Sequence, residues 1–492
     1  MNRKLLFYVL TIVIFGSLVW FVLDQGAHLE NAQNRQISGV ASRQGANELE
    51  EIGAPIQETA PSGFFGNFSQ GFSDPFSRLL LQITVIIVVS RLLALLVAKV
   101  GQPLVIGEIV AGIVLGPSLL GLIWPEVSGF LFPPDSLRSI EILSRLGLIL
   151  FMFIIGLELD VHLLKNKAHT AILVSHASII TPFAMGVSLA YFLYSAFAPA
   201  SISFLGFSLF MGIAMSITAF PVLARILQER GLSQSALGVL ALTSAAAGDV
   251  TAWCILAVLV VVVQAGAVTN ALFPIVLSVL YVFTMLALVR PFLQHLASGS
   301  AGAEKSSQAF TVTAFIVLFL SAFTTEMIGI HALFGAFLAG VVMPAQVDFR
   351  KMLAVKIEDV SLVILLPLFF ASTGLKTQIG LLNDLSAWLI CGLIILVAVA
   401  GKVGGSLAAA KFTGHSWSES LALGALMNTR GLMELIVLSI GYDLGVISPT
   451  LFTMMVLMAL LTTFMTSPAL SAIQYFKRRR ELMGAYPVPG SM

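Results

Sequence analysis

Long apolar segments separated by short polar turns recur along the whole chain. A helix of about 20 residues crosses a membrane core of ~30 Å. We predict fourteen such segments, at residues 5–23, 77–98, 102–121, 142–158, 168–195, 203–226, 234–263, 269–289, 308–324, 329–345, 357–374, 385–410, 417–442 and 448–475. Barrel strands would be half as long and would alternate in polarity, so this pattern predicts an all-α polytopic membrane protein.

The composition supports a membrane protein and excludes other classes. Hydrophobic residues make up 58% of the chain and charged residues 10%, whereas soluble domains carry roughly 25% charge. The net charge of +1 and the lack of a basic patch among aromatic residues argue against nucleic acid as a partner. Both cysteines, Cys254 and Cys391, fall within apolar segments. No nucleotide-binding, metal-binding or nucleophile motif occurs in a credible setting, so we expect neither an enzyme nor a cofactor.

The first segment follows Asn2-Arg3-Lys4 and has a long apolar run without a small-x-small cleavage site. We therefore predict an uncleaved membrane anchor at residues 1–24, with a signal segment as the alternative. Residues 25–75 are rich in Gln, Gly, Glu, Ser and Asn and predict an exposed linker. Residues 76–476 then form a transmembrane core of thirteen helices, and residues 477–492 form a short cytoplasmic tail.

Positive charge alternates with the segments when the N-terminus is placed in the cytoplasm. The turns on that side contain Lys99, Lys165, Lys167, Arg225, Arg230, Arg290, Lys305, Arg350, Lys351, Lys356 and Lys411. The outward loops of the core keep little more than Arg138 and Lys376. Because cytoplasmic loops of membrane proteins carry the excess of Lys and Arg, both termini are predicted to be cytoplasmic. We expect the membrane to be a bacterial cytoplasmic membrane.

Two of the core segments contain residues that interrupt a helix. In the segment at 203–226, Pro221 removes a backbone donor and Ser216 offers an oxygen beside the break. In the segment at 417–442, Asn428, Thr429 and Gly431 mark the second break. The segments lie seven helices apart and run in opposite directions, which predicts an inverted-repeat transporter with two crossed discontinuous helices. For either break alone, a tolerated kink is the alternative.

Asp249 is the one charge in residues 232–263. A charge at the middle of a bilayer costs roughly 2.5–3.5 kcal/mol, so such a side chain normally faces a cavity, a partner or an ion path. We therefore predict an ion-binding role for Asp249, and the alternative is a carboxyl group that only holds helices together. Lys402 is its candidate partner from the eleventh core helix, unless that lysine extends to the membrane surface instead.

Four further polar residues have weaker signals. Arg430 and Glu434 are four residues apart on one helix face, which predicts a structural ion pair. Glu108 lies close to the cytoplasmic start of its helix and could line an access funnel. His331 could titrate near neutral pH as a sensor, and a hydrogen-bonded core histidine is the alternative.

The chain resembles the monovalent cation:proton antiporters, in the branch of the bacterial Kef-like exchangers and the plant CHX exchangers. Their signature stretches are similar to GEIVAGIVLGPSLLG, FMFIIGLELD, MSITAFPVLARIL, SAAAGDVTAW, GIHALFGAFLAG, LFFASTGLKT and MNTRGLMELIVLSIG in this sequence. The resemblance runs from about Leu79 to Tyr475 with the motifs in one order. It implies a homodimer with a mobile ion-carrying domain, an elevator-like cycle and a thirteen-helix core.

The resemblance also implies individual roles. Asp249 matches the family's ion- and proton-binding aspartate, Lys402 matches the basic residue of the eleventh helix, and Thr218 lies in the matching unwound stretch. Gly248 departs from the family, which usually has Asp, Asn or Gln at that position. With one carboxylate rather than two, electroneutral one-for-one exchange is expected, and the choice between Na⁺ and K⁺ stays open.

We therefore expect antiport of Na⁺ or K⁺ against H⁺. The cation would shed water onto Asp249 and onto oxygens of Thr218, Thr243 or Ser244, and protonation would release it. Because both ions need one carboxylate, they cannot travel together. A ligand-gated Kef-like K⁺ efflux pathway, with an unlinked regulatory subunit, is one alternative. A non-transporting membrane receptor on a transporter scaffold is another.

Overall fold

The computed structural model describes residues 3–41, 74–158, 168–265, 268–298, 304–344 and 347–484. These ranges form α-helices with two π-helical turns, at Met285–Val289 and Ser361–Leu365, and a 3₁₀ turn at Ile379–Leu381. The helices are α1 (Arg3–Ala41), α2 (Pro75–Lys99), α3 (Leu104–Leu115), α4 (Leu120–Ile123), α5 (Pro125–Leu131), α6 (Pro134–Glu158), α7 (Ala168–Phe197), α8 (Phe204–Ser216), α9 (Phe220–Glu229), α10 (Ala236–Ala265), α11 (Val268–Thr284), α12 (Arg290–Ser298), α13 (Glu304–Ile328), α14 (Ala332–Val342), α15 (Val347–Val360), α16 (Leu366–Lys376), α17 (Leu385–Phe412), α18 (Trp417–Met427), α19 (Leu432–Asp443) and α20 (Pro449–Gly484).

Every predicted apolar segment coincides with helix, which confirms an all-helical polytopic membrane protein. Within the described ranges, eleven helices are long and apolar enough to cross a membrane, and α18 with α19, bent by 42°, makes a twelfth candidate. Two predicted segments are helical without meeting that criterion. The segment at 329–345 contains only the 11 residues of α14, and the segment at 357–374 is divided by the π-helical turn before α16.

The terminal helices are longer than predicted. α1 continues to Ala41, so the linker predicted from residue 25 begins inside a helix, and residues 42–73 lie outside the described residues. α20 continues to Gly484, so the predicted tail at 477–492 also begins as helix, and its last eight residues are not described. In both places the sequence turns polar without a proline, and Ala, Gln, Glu, Lys and Arg sustain a helix as well as apolar residues do.

The N-terminal helix α1 is docked on the rest of the protein. The Tyr8 hydroxyl lies 3.2 Å from Nδ1 of His176 on α7. The ring of Phe7 stacks on that of Phe412 at the end of α17, with 4.2 Å between the ring centres. α1 therefore packs against two helices that also carry residues of the candidate site.

The helices form two groups. The first, which we call the Asp249 bundle, is built around α7: α1, α8, α10 and α17 pack against it, and α9, α18, α19 and α20 complete it. The second bundle contains α2, α3, α6, α13, α14 and α16. α11 packs on α13 of the second bundle, and the π-helical turn after α11 packs on α14. Among the described elements, the two groups meet where α10 packs on α11 and where α20 contacts the turn at Ile379–Leu381.

Candidate cation and proton site

The first predicted break lies between α8 and α9. Residues 217–219 are extended, with φ and ψ of −71° and 141° at Ile217 and of −80° and 95° at Ala219. Pro221 stands in the first turn of α9, where its missing N–H has no intrahelical partner to lose. The break therefore precedes the proline and exposes both the carbonyl end of α8 and the amide end of α9.

Two buried cations satisfy the carbonyl end of α8. Arg430 donates from Nη1 to the carbonyl of Ala214 at 3.0 Å and from Nη2 to that of Met215 at 2.7 Å. Lys402 donates from Nζ to the carbonyl of Ser216. The last four carbonyls of a helix lack intrahelical donors and carry partial negative charge. Arg430 and Lys402 therefore stabilise a helix end that lies inside the protein.

The second predicted break, at residues 428–431, lies directly against the first. The hydroxyl of Thr218 donates to the carbonyl of Met427 at 3.1 Å. The N–H of Ala219 donates to the carbonyl of Thr429 at 3.0 Å. Carbonyls at the second break thus accept hydrogen bonds from the hydroxyl and the N–H of the first break. These bonds stabilise both interruptions.

Gly431, which precedes α19, has a backbone conformation that other residues rarely adopt. Its φ is +147°, in the region that favours glycine. A Cβ added there would also lie 3.0 Å from Cγ2 of Val222 on α9. Gly431 therefore allows both the turn of the second break and its close approach to the first.

We expect Gly431→Ala to lower the free energy of unfolding by about 1–3 kcal/mol, because it adds backbone strain to this close contact. Gly414→Ala is the matched control, since Gly414 has a φ of +96° but nothing lies within 4 Å of an added Cβ. Thermal unfolding of the purified variants in detergent measures the difference. Equal losses for both variants would mean that contact between the breaks contributes nothing.

Arg430 and Glu434 form the predicted ion pair. Nη1 of Arg430 lies 2.9 Å from Oε1 of Glu434, and both side chains are 0% exposed. The backbone of Arg430 is also fixed, because the Thr463 hydroxyl accepts from its N–H at 3.1 Å and donates to its carbonyl at 2.8 Å. The sequence suggested the ion pair with Glu434 but not the bonds to the carbonyls of α8. Arg430 therefore contacts three helices, α8, α19 and α20, rather than α19 alone.

Asp249 lies in α10 and is 6% exposed. Neither carboxylate oxygen has a hydrogen-bond partner within the described parts of the chain. The N–H of Phe220, at the amide end of α9, and the charge of Lys402 both act on this carboxylate. A buried, unpaired carboxylate that faces the positive end of a helix has the chemistry of a cation or proton site.

Lys402 does not bind the carboxylate oxygens of Asp249. It is 1% exposed, so it does not extend to the membrane surface, and its Nζ donates to the carbonyls of Ser178, at 2.9 Å, and Ser216. No ion pair joins it to Asp249 in the described residues. The predicted partnership of Lys402 with Asp249 is therefore not a direct ion pair in this structure, and the two charges act on each other through space.

The hydroxyl residues predicted as ligands lie in different places. Thr218 is buried at the first break. Thr243 donates to the carbonyl of Val239 at 2.7 Å, as a helical threonine often does. Since a helix turns about 100° per residue, Thr243 and Ser244 lie roughly 120° and 140° around α10 from Asp249. Neither shares the face of that carboxylate, so Thr218 is the better placed of the predicted ligands.

Two serines of α7 were not predicted. Ser175 and Ser178 are buried and their hydroxyls have no partner among the described residues. A Cβ added at Gly248 would lie 3.4 Å from Oγ of Ser175, which places this serine beside the Asp249 helix. Two serines three residues apart in an apolar helix are the signal that could have revealed them. Further buried oxygens without a partner in the described ranges include Oγ of Ser244 and Ser406 and Oδ1 of Asn428.

A cavity of ≈ 740 Å³ leads to the breaks from one end of the molecule. Its inner wall includes Phe220, Pro221 and Leu432, at the first residues of α9 and α19. Its charged lining residues are Arg91, Glu108, Glu158, Arg225, Glu358 and Asp359. Glu108 thus lines a cavity of the kind that its sequence position suggested. This cavity lies at the end of the molecule that the distribution of Lys and Arg predicts to be cytoplasmic.

The comparison with known families agrees with this geometry. The model of the transmembrane sodium/hydrogen exchanger family matches residues 84–473. The chain belongs to the sodium/hydrogen exchanger family. Its membership confirms the predicted resemblance and makes the protein a transporter rather than an enzyme.

Individual relatives place this exchanger among cation:proton antiporters. It is 46% identical to the Na(+)/H(+) antiporter NhaS4 of Synechocystis, over 79% of this chain and 95% of the relative. It is 41% identical to cation/H(+) antiporter 17 of Arabidopsis thaliana, over 85% of this chain and 51% of the relative. For the K(+)/H(+) antiporter 1 of Saccharomyces cerevisiae, the identity is 33% and the shares are 82% and 47%. The exchanger thus spans about half the length of the plant and yeast relatives.

A solved structure supports the exchanger fold. The sodium proton antiporter MjNhaP1 of Methanocaldococcus jannaschii superposes with a TM-score of 0.60, covering 81% of this chain and 97% of that protein. The two sequences are 15% identical, so this likeness concerns the fold alone.

His331 lies apart from the Asp249 site of this exchanger. It has a φ of +76° and precedes α14, where its Nδ1 accepts from the N–H of Leu333 at 3.4 Å. With Arg145 and Asp443 it lines a small cavity that shares no lining residue with the larger one. The predicted sensing role of His331 stays a prediction, and any such role would act at a distance from the carboxylate.

Proposed function

We propose that the protein exchanges a monovalent cation, Na⁺ or K⁺, for H⁺ by letting both compete for the carboxylate of Asp249. The observation that carries the proposal is the position of this buried carboxylate, unpaired among the described residues, at the amide end of α9 beside the first break. The names of two relatives, a Na(+)/H(+) antiporter and a K(+)/H(+) antiporter, support the class of cargo and leave both cations as candidates.

The charges around the site support electroneutral exchange. Four buried ionisable groups act on one another: Lys402, Arg430, Glu434 and Asp249. With all four ionised, their charges cancel. Binding one monovalent cation to Asp249 adds one positive charge, and binding one proton adds the same charge. The two loaded states therefore carry equal charge across the membrane, which is the condition for one-for-one exchange without net current.

Lys402 contributes by position in this proposal. Its ammonium group is held by the carbonyls of Ser178 and Ser216, so it balances the negative charge of Asp249 without covering the carboxylate oxygens. A cation can then exchange its water ligands for Asp249 and the hydroxyl of Thr218. The charged cavity beyond Phe220 supplies hydrated ions from one side of the membrane.

We further propose the finer architecture that the sequence predicts. Residues 76–476 form an inverted-repeat core of thirteen helices, with α1 as its anchor and both termini in the cytoplasm, and the protein works as a homodimer. The mutual contact of the two breaks supports the inverted repeat, and the distribution of Lys and Arg supports the orientation. In the transport cycle, the Asp249 bundle moves relative to the second bundle.

Proton flux in liposomes tests the function. We expect an outward gradient of Na⁺ or K⁺ to drive H⁺ uptake into liposomes that contain the purified protein, at a rate that an imposed membrane potential leaves unchanged. A pH-sensitive dye inside the liposomes reports the flux across a series of Li⁺, Na⁺, K⁺ and Rb⁺. No cation-dependent flux in any salt would contradict antiport, and a rate that follows the membrane potential would contradict the one-for-one ratio.

A further inference from the structure

A cavity lies between the two bundles at one end of the molecule, beside a hydrogen bond from Nε2 of Gln102 to the carbonyl of Phe464 at 3.3 Å. Ion pairs join the bundles at the other end. The ≈ 740 Å³ cavity lies between them at the first end, with Pro221 and Leu432 on the Asp249 bundle and Glu108 and Phe151 on the second bundle. At the opposite end, α19 of the Asp249 bundle meets α6 and α16 of the second bundle. This asymmetry is expected of a transporter caught open to one side.

Ion pairs make the junction at the closed end. Asp443, the last residue of α19, accepts from Nη2 of Arg145 at 3.1 Å and from Nζ of Lys376 at 2.8 Å. Glu141 holds both cations from α6, at 2.9 Å from Arg145 and 3.7 Å from Lys376. We call these four residues the latch.

The latch connects the bundles through one side chain. Glu141 and Arg145 lie on α6 and Lys376 ends α16, so three of its members belong to the second bundle. Asp443 alone comes from the Asp249 bundle. A further polar contact at this end, from the N–H of Gln378 to the hydroxyl of Thr453 at 3.1 Å, joins the turn after α16 to α20. Removing the Asp443 carboxylate would therefore break both ion pairs that cross between the bundles in the described part of the chain.

The exposure of the latch suits a contact that forms and breaks repeatedly. Its side chains are 23–52% exposed, and exposed ion pairs stabilise a structure only weakly and less so in salt. The ion pair between Arg430 and Glu434 differs, since both side chains are fully buried within the Asp249 bundle. Among the described residues, the Asp249 bundle thus contains a fully buried ion pair, and the exposed ion pairs of the latch lie at its edge.

We propose that the latch holds the exchanger closed at this end while Asp249 is open to the other, and that its ion pairs must separate before Asp249 can face this end. The proposal rests on alternating access at Asp249. It adds the contact that sets the balance between the two states: breaking the latch shifts the population toward the state that is open at the latch end.

A reversible crosslink tests whether the latch must open. In a background with Cys254→Ser and Cys391→Ala, a short bifunctional methanethiosulfonate would join the pair Lys376→Cys and Asp443→Cys. We expect crosslinking to stop cation-driven proton flux in liposomes and reduction to restore it. The matched control is the pair Glu141→Cys and Lys376→Cys, both in the second bundle, whose crosslink should not change the flux measured for this same variant before crosslinking. Full flux through the crosslinked 376–443 pair would overturn the proposal.

Thiol labelling gives a second measurement that needs no transport. Ser439 lies one turn before Asp443 and lines the small cavity behind the latch. We expect Asp443→Asn to raise the labelling rate of Ser439→Cys by a membrane-impermeant methanethiosulfonate several-fold, because the closed end then opens more often. Equal labelling rates with and without Asp443→Asn would overturn the latch. This result stands even if the 376–443 variant does not exchange or if the proposed cargo is wrong.

Discussion

Asp249→Asn abolishes proton-coupled cation exchange and leaves a folded protein. The amide has nearly the shape of the carboxyl group, but it cannot bind a proton at physiological pH and offers no charge to a cation. The variant therefore binds neither the cation nor the proton of the proposed cycle. We expect the cation-driven proton flux of the variant in liposomes to fall to that of liposomes without protein.

The same variant should not be less stable than the parent. The Asp249 oxygens make no hydrogen bond with the described residues, so the substitution breaks none. Lys402 loses the opposite charge of Asp249 but keeps the carbonyls of Ser178 and Ser216 as acceptors. The buried Asp249 charge has no hydrogen-bond partner of this kind, and a neutral amide removes the cost of keeping it away from water. We expect the unfolding temperature in detergent to stay equal or rise, which would separate loss of function from loss of fold.

Asp384→Asn is the control for this substitution. The Asp384 side chain accepts from the N–H of Ala387 at 2.8 Å at the start of α17, and asparagine caps helices about as well as aspartate does. Exchange should therefore persist at the parental rate. Undiminished exchange in Asp249→Asn would remove Asp249 from the mechanism. A loss of exchange in both variants would show that the change acts through general damage.

The breaks could be read from the sequence because their causes are local. The ring of Pro221 would clash with a helical carbonyl four residues earlier, at Ile217, and the glycine before α19 adopts a backbone conformation that other residues rarely adopt. The segment boundaries were less accurate at the two termini, since helix propensity carries α1 and α20 beyond their apolar parts. Asp249 was equally visible, because one carboxylate in about thirty apolar residues needs no three-dimensional information.

The partners of the buried cations could not be read in this way. Lys402 donates to carbonyls of residues 224 and 186 positions away in the sequence, and carbonyls are present at every position, so no residue type marks them. The prediction that Lys402 pairs with Asp249 took only side chains into account as partners, not backbone carbonyls. The pair of Arg430 with Glu434 was visible only because both lie on one helix, whereas the bonds of Arg430 to α8 depend on how the two breaks meet.

Arg430→Met should destabilise the protein more than any other single change at the breaks. Methionine fills a similar length but donates no hydrogen bond, so the carbonyls of Ala214 and Met215 lose their donors and Glu434 is left as an uncompensated buried charge. Removing one partner of a buried ion pair typically costs about 3–5 kcal/mol. We expect a loss of that order in the free energy of unfolding, measured by denaturation of the purified protein in detergent.

Variants of Glu434 separate the two roles of Arg430. Glu434→Gln leaves the bonds from Arg430 to α8 intact, so its cost should be clearly smaller than that of Arg430→Met. Adding Glu434→Gln to Arg430→Met removes the unpaired charge but not the two unpaired carbonyls, so stability should return only in part. If Glu434→Gln costs as much as Arg430→Met, or if the double variant recovers fully, the ion pair alone would explain this arginine. Partial recovery would instead mean that Arg430 also stabilises the protein through its bonds to the carbonyls of Ala214 and Met215 at the end of α8.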